Sequence, residues 1–182
     1  MKRALIVPAV LAEAALDQLK EWLAITSTRE DAALTALLRT ALETCEGFIG
    51  SMPLAAECEE MLPASSTWQT LATRPVRVVS GVEGVSAEGT RFALAADTYA
   101  IELDADGGAL VRVVRRDAAE RIMVRFTAGM AADWTDLPEG LRHGVLRLVA
   151  HHYRQRDADG ARAMPPAAIA ALWRPWRRVR VA

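Results

Sequence analysis

The stretch LPEGLRHGVLRLVAHHYRQR, residues 137–156, decides how this chain folds. Leu141, Val145, Leu148 and Val149 recur at helical spacing, and Leu146, Ala150 and Tyr153 widen that apolar face. His143, Arg147, His151 and Arg154 line the opposite face. Asp136 is placed to cap the helix, Pro138 stands where a missing N–H costs nothing, and Glu139 suits the positive end of the helix dipole. A helix of this length spans roughly 30 Å, enough to cross a small domain. Gly144 in its middle costs about 1 kcal/mol relative to Ala, which marks a place where a neighbouring element approaches closely.

Toward the N-terminus two further amphipathic helices are expected. The first covers 10–24 on the stripe Leu11, Ala15, Leu16, Leu19, Trp22 and Leu23. The second covers 29–48, with Ala33, Leu34, Leu37, Leu38, Ala41, Leu42 and Cys45 on one face and Gly47 and Gly50 closing it. Thr28 and Asp31 resemble a capping box with the shorter acid. A short polar link makes the pair, 10–50, a helical hairpin that packs its stripes against the long C-terminal helix. Lys2-Arg3 before an apolar run, with Ala12-Glu13-Ala14 after it, imitates a secretory leader. Pro8 breaks that run and the helical stripe continues past the would-be cleavage site, so the segment reads as part of the fold. No run approaches the ~18 apolar residues of a membrane-spanning helix, and no membrane partner is expected.

Residues 54–62, between Pro53 and Pro63, fit a helical turn or an irregular strand equally well, because periodicity cannot arbitrate so short a run. From Pro75 the chain changes character. Short segments rich in β-branched residues at 76–82, 92–94, 99–103, 110–114 and 122–126 alternate with Gly and Asp clusters. They predict a small antiparallel sheet inserted over 75–127, with 99–103 and 110–114 paired across Asp104-Ala105-Asp106-Gly107-Gly108. Residues 136–182 hold the long helix, a short helix at 166–173 that Pro175 stops, and a basic tail expected to extend from the domain. The fold class is therefore α+β, a bundle of three main helices with an inserted small antiparallel β-sheet, in a single domain spanning 1–182.

The net charge of −1 conceals an asymmetry: residues 1–137 carry 13 Lys/Arg against 20 Asp/Glu, and 138–182 carry 9 against 3. Such a chain can meet two differently charged partners or another copy of itself. Cys45 and Cys58 stand in no metal or redox spacing and read as buried thiols in a reducing compartment. His143, His151 and His152 lack a carboxylate or thiolate companion in sequence, so a solvated basic face accounts for them better than a metal site. Asp104-Ala105-Asp106-Gly107 and Asp157-Ala158-Asp159-Gly160 echo a calcium loop, but Arg115 and Ala168 stand where its bidentate Glu belongs, and both read as turns. No phosphate loop follows a strand, no nucleophile motif occurs, and Glu59-Glu60 comes with nothing in sequence to perturb it. No catalytic residue, metal or cofactor is therefore assigned. The unusual feature is the basic end carrying Trp173, Arg174, Trp176, Arg177, Arg178 and Arg180. Those residue types suit phosphate contact with stacking, anchoring in a protein partner, or a solvated tail with its tryptophans packed on the domain.

The order of segments carries a family resemblance. The helix pair is followed by Trp68-Gln69-Thr70-Leu71 and Arg74-Pro75-Val76, a block of strands, and Phe126-Thr127-Ala128-Gly129. Then come Leu137-Pro138-Glu139-Gly140-Leu141, Tyr153-Arg154-Gln155-Arg156, and a late Pro165 before Leu172-Trp173-Arg174-Pro175. Together they resemble the head–tail connector proteins of long-tailed phages, especially the adaptors of gene transfer agents and related prophages. The resemblance implies a virion structural protein, made in the host cytoplasm and assembled as a closed ring of about twelve copies. The ring sits between the portal and a tail-side stopper or terminator, where it extends the DNA channel and touches passing duplex without reading its sequence. It also implies that the basic end is the portal-binding segment, and that His143, Arg147, His151 and Arg154 face the channel or a neighbouring subunit. The strand block is longer here than in minimal, mostly helical connectors. The rival readings are a DNA-binding protein using the basic C-terminal half and an enzyme of unknown reaction.

Overall fold

The computed structural model describes residues 3–115, 119–155 and 165–178. The chain divides into two compact units, one built from Val10–Leu54 with the chain from Ala131 onward, the other from the chain up to Ala9 with Ala55–Met130.

The first unit is helical. It contains α1 (Glu13–Leu23), α2 (Asp31–Ile49), α3 (Glu139–Arg154) and α4 (Ala167–Trp173), with 3-10 turns at Trp134–Asp136 and Arg174–Trp176. Ala15 and Leu19 of α1, Leu34, Leu38, Ala41, Cys45 and Ile49 of α2, and Leu141, Val145, Leu148 and Val149 of α3 are buried together as its core. Their spacing is the helical repeat read from the sequence. Lys20 of α1 pairs with Asp31 at the start of α2 at 2.8 Å, closing the hairpin. Asp31 is thereby used across the link, and no side chain caps α2, contrary to the expected box. α1 ends on Ala24 with φ 57°, a left-handed residue that costs about 1 kcal/mol without glycine, while α2 ends on Gly50 with φ 72°. Asp136 lies in a 3-10 turn rather than capping α3, which begins from Pro138 with no side-chain cap. That turn is pinned by Trp134, fully buried, whose Nε1 donates to Gln18 Oε1 at 3.1 Å.

The second unit holds β1 (Arg3–Val7), β2 (Ala56–Pro63), β3 (Gln69–Thr70), β4 (Val76–Val85), β5 (Arg91–Ala93), β6 (Tyr99–Leu103), β7 (Ala109–Val113) and β8 (Arg121–Ala128). They form a five-stranded sheet in the order β1-β2-β8-β4-β5 and a three-stranded sheet in the order β3-β7-β6, antiparallel throughout. Alternation sorts the faces: Cys58, Leu62, Ile122, Val124 and Phe126 are buried, and so are Ala109, Val111 and Val113 of β7. The expected hairpin is present, with Tyr99 opposite Val113, Ile101 opposite Val111 and Leu103 opposite Ala109. Asp104 closes its turn by accepting from Gly108 N at 2.6 Å, and Gly107 supplies the positive φ of 75°.

The α+β class stands, whereas the three-helix bundle with one small sheet gives way, among the described residues, to four helices and two sheets of five and three strands. Two of the added strands came from stretches with misleading patterns. β1 is an apolar run without alternation, and β2, AECEEMLP, places three acidic residues in a central strand.

Candidate interaction surfaces

The C-terminal corner of the helical unit is shaped by two glycines one helical turn apart. A Cβ at Gly144 would sit inside the Trp173 indole, 2.8 Å from its Cδ1 and Cε2, and one at Gly140 would lie 2.6 Å from Cη2 of Trp176. Gly140 and Gly144 therefore form a notch in α3 that accepts both tryptophans. Trp173 is fully buried there, its Nε1 donating to the carbonyl of Leu141 at 3.2 Å. Phe48 of α2 closes the other side, 6.0 Å from the Trp173 ring. The chain does not leave the unit at Pro175 as expected. It continues through the Arg174–Trp176 turn, lays the Arg177 guanidinium 5.3 Å from the Phe48 ring, and bonds Arg178 N to the carbonyl of Ile49 at 3.0 Å. Pro175 ends the α-helix, but the tryptophan contacts hold the next residues against the unit. Arg174, Arg177 and Arg178 are exposed on this fixed frame, and Trp176 is half-buried. Arg180 lies outside the described residues.

Along α3, His143, Arg147 and Arg154 are exposed and His151 is half-buried, in one line at helical spacing. His143 meets the half-exposed Trp22 edge-on at 5.2 Å, and His151 meets His152 at 5.8 Å. Burial, then the neighbouring His151, pushes His152 below the usual histidine value. Tyr153, on the apolar side, donates to Glu30 Oε2 and ties the end of α3 to the start of α2. Among the described residues no three His, Cys, Asp or Glu groups lie close enough to share a metal ion. Both cysteines are buried and unpaired with each other, and burial drives the Cys45 thiol up to about 12, far from a reactive thiolate.

In the sheet unit, Glu59 and Glu60 are neighbours on β2 and point to opposite faces, so they cannot act on one group together. Glu59 Oε1 accepts from Arg125 Nη2 at 2.8 Å and Nε at 3.1 Å, and Arg91 Nη2 reaches Oε2 at 3.1 Å. Burial would raise the Glu59 carboxyl, but the hydrogen bonds and charges of Arg125 and Arg91 outweigh it and hold the group below the usual carboxylate value. Beside this cluster runs an open groove of about 470 Å³ floored by Met61 and Met123 and edged by Arg91 and Arg121. Glu60 is fully buried and accepts from Ala72 N at 2.8 Å, Thr73 N at 2.9 Å and Thr73 Oγ1, anchoring the loop that leads into β4. Neither environment is legible in the sequence, because Arg91, Arg125 and Thr73 lie far along the chain from Glu59 and Glu60. The notch, by contrast, had a signal: Gly140 and Gly144 four apart on a helix, with two tryptophans three apart downstream.

These surfaces offer contact area, fixed cations and apolar edges, the equipment of a protein that joins other macromolecules. The head completion protein family model matches residues 14–165. Among solved structures, the chain is similar to one from the neck of an empty GTA particle computed with C6 symmetry, with 27% identity, a TM-score of 0.76, and coverage of 100% of this chain and 98% of that one. It is similar to one from the virion of the native gene transfer agent (GTA) particle, with 28% identity, a TM-score of 0.77 and the same coverage. A chain from the neck of the native GTA particle computed with C12 symmetry gives 30% identity and a TM-score of 0.75, covering 98% of this chain and 97% of that one. A search of curated protein sequences gave no match. The chain belongs to the head completion protein family, and its role is that of a structural head–tail connector. No helix among the described residues is long and apolar enough to cross a membrane.

Proposed function

We propose that the chain assembles in the neck of a phage-like particle as a ring of about twelve copies, between the portal and a tail-side stopper or terminator. The observation that carries this reading is the end-to-end likeness, at 27–30% identity, to chains of necks solved with C6 and C12 symmetry. The whole chain acts as one connector module, made in the host cytoplasm and working by contact alone, without catalysis or cofactor. Duplex DNA passes through the ring as a polyanion, met by phosphate contacts without base readout. His143, Arg147, His151 and Arg154 form one polar helix face, with positive charge from Arg147 and Arg154, for that channel or for the neighbouring subunit. The portal receives Arg174, Arg177 and Arg178 with the outer part of Trp176, and Arg180 comes after them in sequence. Trp173 serves differently from the sequence expectation: buried in the notch, it positions that basic group rather than touching the partner.

The test is a host lacking the gene, complemented with the wild-type chain or with Arg174→Glu, Arg177→Glu and Arg178→Glu combined. Without the gene, electron microscopy should find DNA-filled heads and separate tails. The triple variant should fold, by circular dichroism, yet stay out of particles. Complete tailed particles in the absence of the gene would overturn the reading.

A further inference from the structure

Of the four edge strands among the described residues of the sheet unit, β3 and β5 are two and three residues long, and the two longer ones, β1 and β6, are equal in length and unlike in charge. Among the described residues, β1 is bonded only to β2 and β6 only to β7, and each is five residues long. Edge strands of self-contained proteins are blunted by inward charge, proline, bulges or cover, because a row of free N–H and C=O groups recruits another strand. These two are weakly blunted. Leu5, Ile6 and Val7 are consecutive and 47%, 45% and 48% exposed, and β6 shows Ile101 at 36% and Leu103 at 49%. Only a register shift between Leu5 and Val7 interrupts β1, while β6 pairs with β7 without a break.

We infer that neighbouring copies of this chain are joined by strand addition, β1 of one copy lying antiparallel against β6 of the next. The inference rests on the ring reading above and names the contact that builds the ring. Charge selects both partner and direction. β1 opens with Arg3 and holds no acid, whereas β6 carries Glu102 and runs into Asp104 and Asp106. Full antiparallel overlap sets Leu5 opposite Ile101 and Val7 opposite Tyr99, and brings Arg3 opposite Leu103, between Glu102 and Asp104. A parallel arrangement would carry Arg3 to the other end, away from those acids. The complementarity is one of sign along the edges, since Arg3 and Asp106 each have a partner within their own copy and Asp104 lies 3.9 Å from Arg74. Topology points the same way. Pairing β1 with β1 is isologous and stops at a dimer, whereas two different edges of one unit make a heterologous contact, the kind that closes rings. Main-chain hydrogen bonds supply the adhesion, and the alternating apolar side chains fix the register.

The test uses the full chain in assembled particles carrying Leu5→Cys and Ile101→Cys together, with folding of the double variant checked by circular dichroism. Oxidation should produce a ladder of disulfide-linked multimers on a non-reducing gel, and either single variant should give none. Arg3→Glu should diminish the ladder, and adding Glu102→Arg should restore it. Copy number per particle, from quantitative mass spectrometry, reports the ring separately. A multi-copy ring without the ladder would overturn the strand contact and leave the ring standing. A single copy per particle would remove both.

Discussion

α3 and β2 each run through the middle of a compact unit, and each places charged residues among apolar ones. In α3 the polar side chains His143, Arg147 and Arg154 fall by helical spacing on one exposed line, while the buried side is apolar and made to fit by the absence of side chains at Gly140 and Gly144. In β2 Glu57 is exposed, but Glu59 and Glu60 stay inside. Glu59 is held by two guanidiniums and Glu60 by two backbone N–H groups and a hydroxyl. The helix is stabilised by shape, with dispersion and burial summed over many contacts. The strand is stabilised by satisfied polar groups, whose loss is punished by the desolvation of whatever is left unpaired. The two regions should therefore fail in different ways.

The largest effect is expected from Trp173→Ala, which empties the Gly144 half of the notch and removes a main support of the turn beyond it. Truncating a buried tryptophan costs about 3–5 kcal/mol, read as a lower urea midpoint. Glu60→Ala comes next. It leaves Ala72 N and Thr73 N without their acceptor, at about 3 kcal/mol, and hydrogen exchange should show the 71–73 backbone losing protection. If Glu60→Ala were neutral, the contrast between shape and polar satisfaction would collapse. Gly144→Ala sharpens it from the other side. Helix propensity favours alanine by about 1 kcal/mol, yet overpacking against Trp173 costs about 1–3 kcal/mol, so a net loss is expected.

A smaller effect separates the regions by pH. Because the Glu59 carboxyl is lower in the folded chain than its usual 4.5, its contribution is present above that value and lost as pH falls through the folded one. Glu59→Gln should lose less stability between pH 6 and pH 3 than the wild type in urea titrations. The smallest effect is on α3's exposed line. Arg147→Ala with Arg154→Ala should change stability by no more than about 0.5 kcal/mol, and the proposed channel role predicts a flatter salt dependence of duplex binding in the double variant than in the wild type.

The same contrast explains what could be read from the sequence. α1, α2 and α3 were legible because a helix imposes a period on its own apolar residues, and the β6–β7 hairpin because its turn residues are local. Gly144 announced a close approach, though not that Trp173 would fill it. β1 was hidden because Leu5, Ile6 and Val7 do not alternate, and β2 because Glu59 and Glu60 resemble surface residues until Arg91, Arg125 and Thr73 are brought to them. The tail beyond Pro175 looked free because proline ends helices, yet local rules do not include the notch that Trp173 and Trp176 occupy. The family itself was legible from ordered weak motifs, which survive where single signatures do not.

The most direct test of the connector role is an electron cryomicroscopy reconstruction of the neck of particles that carry this chain, computed without imposed symmetry. The account predicts a ring of about twelve copies of the α+β chain between head and tail, its Arg174–Trp176 turn toward the portal. A continuous neck with no density for this chain would contradict it.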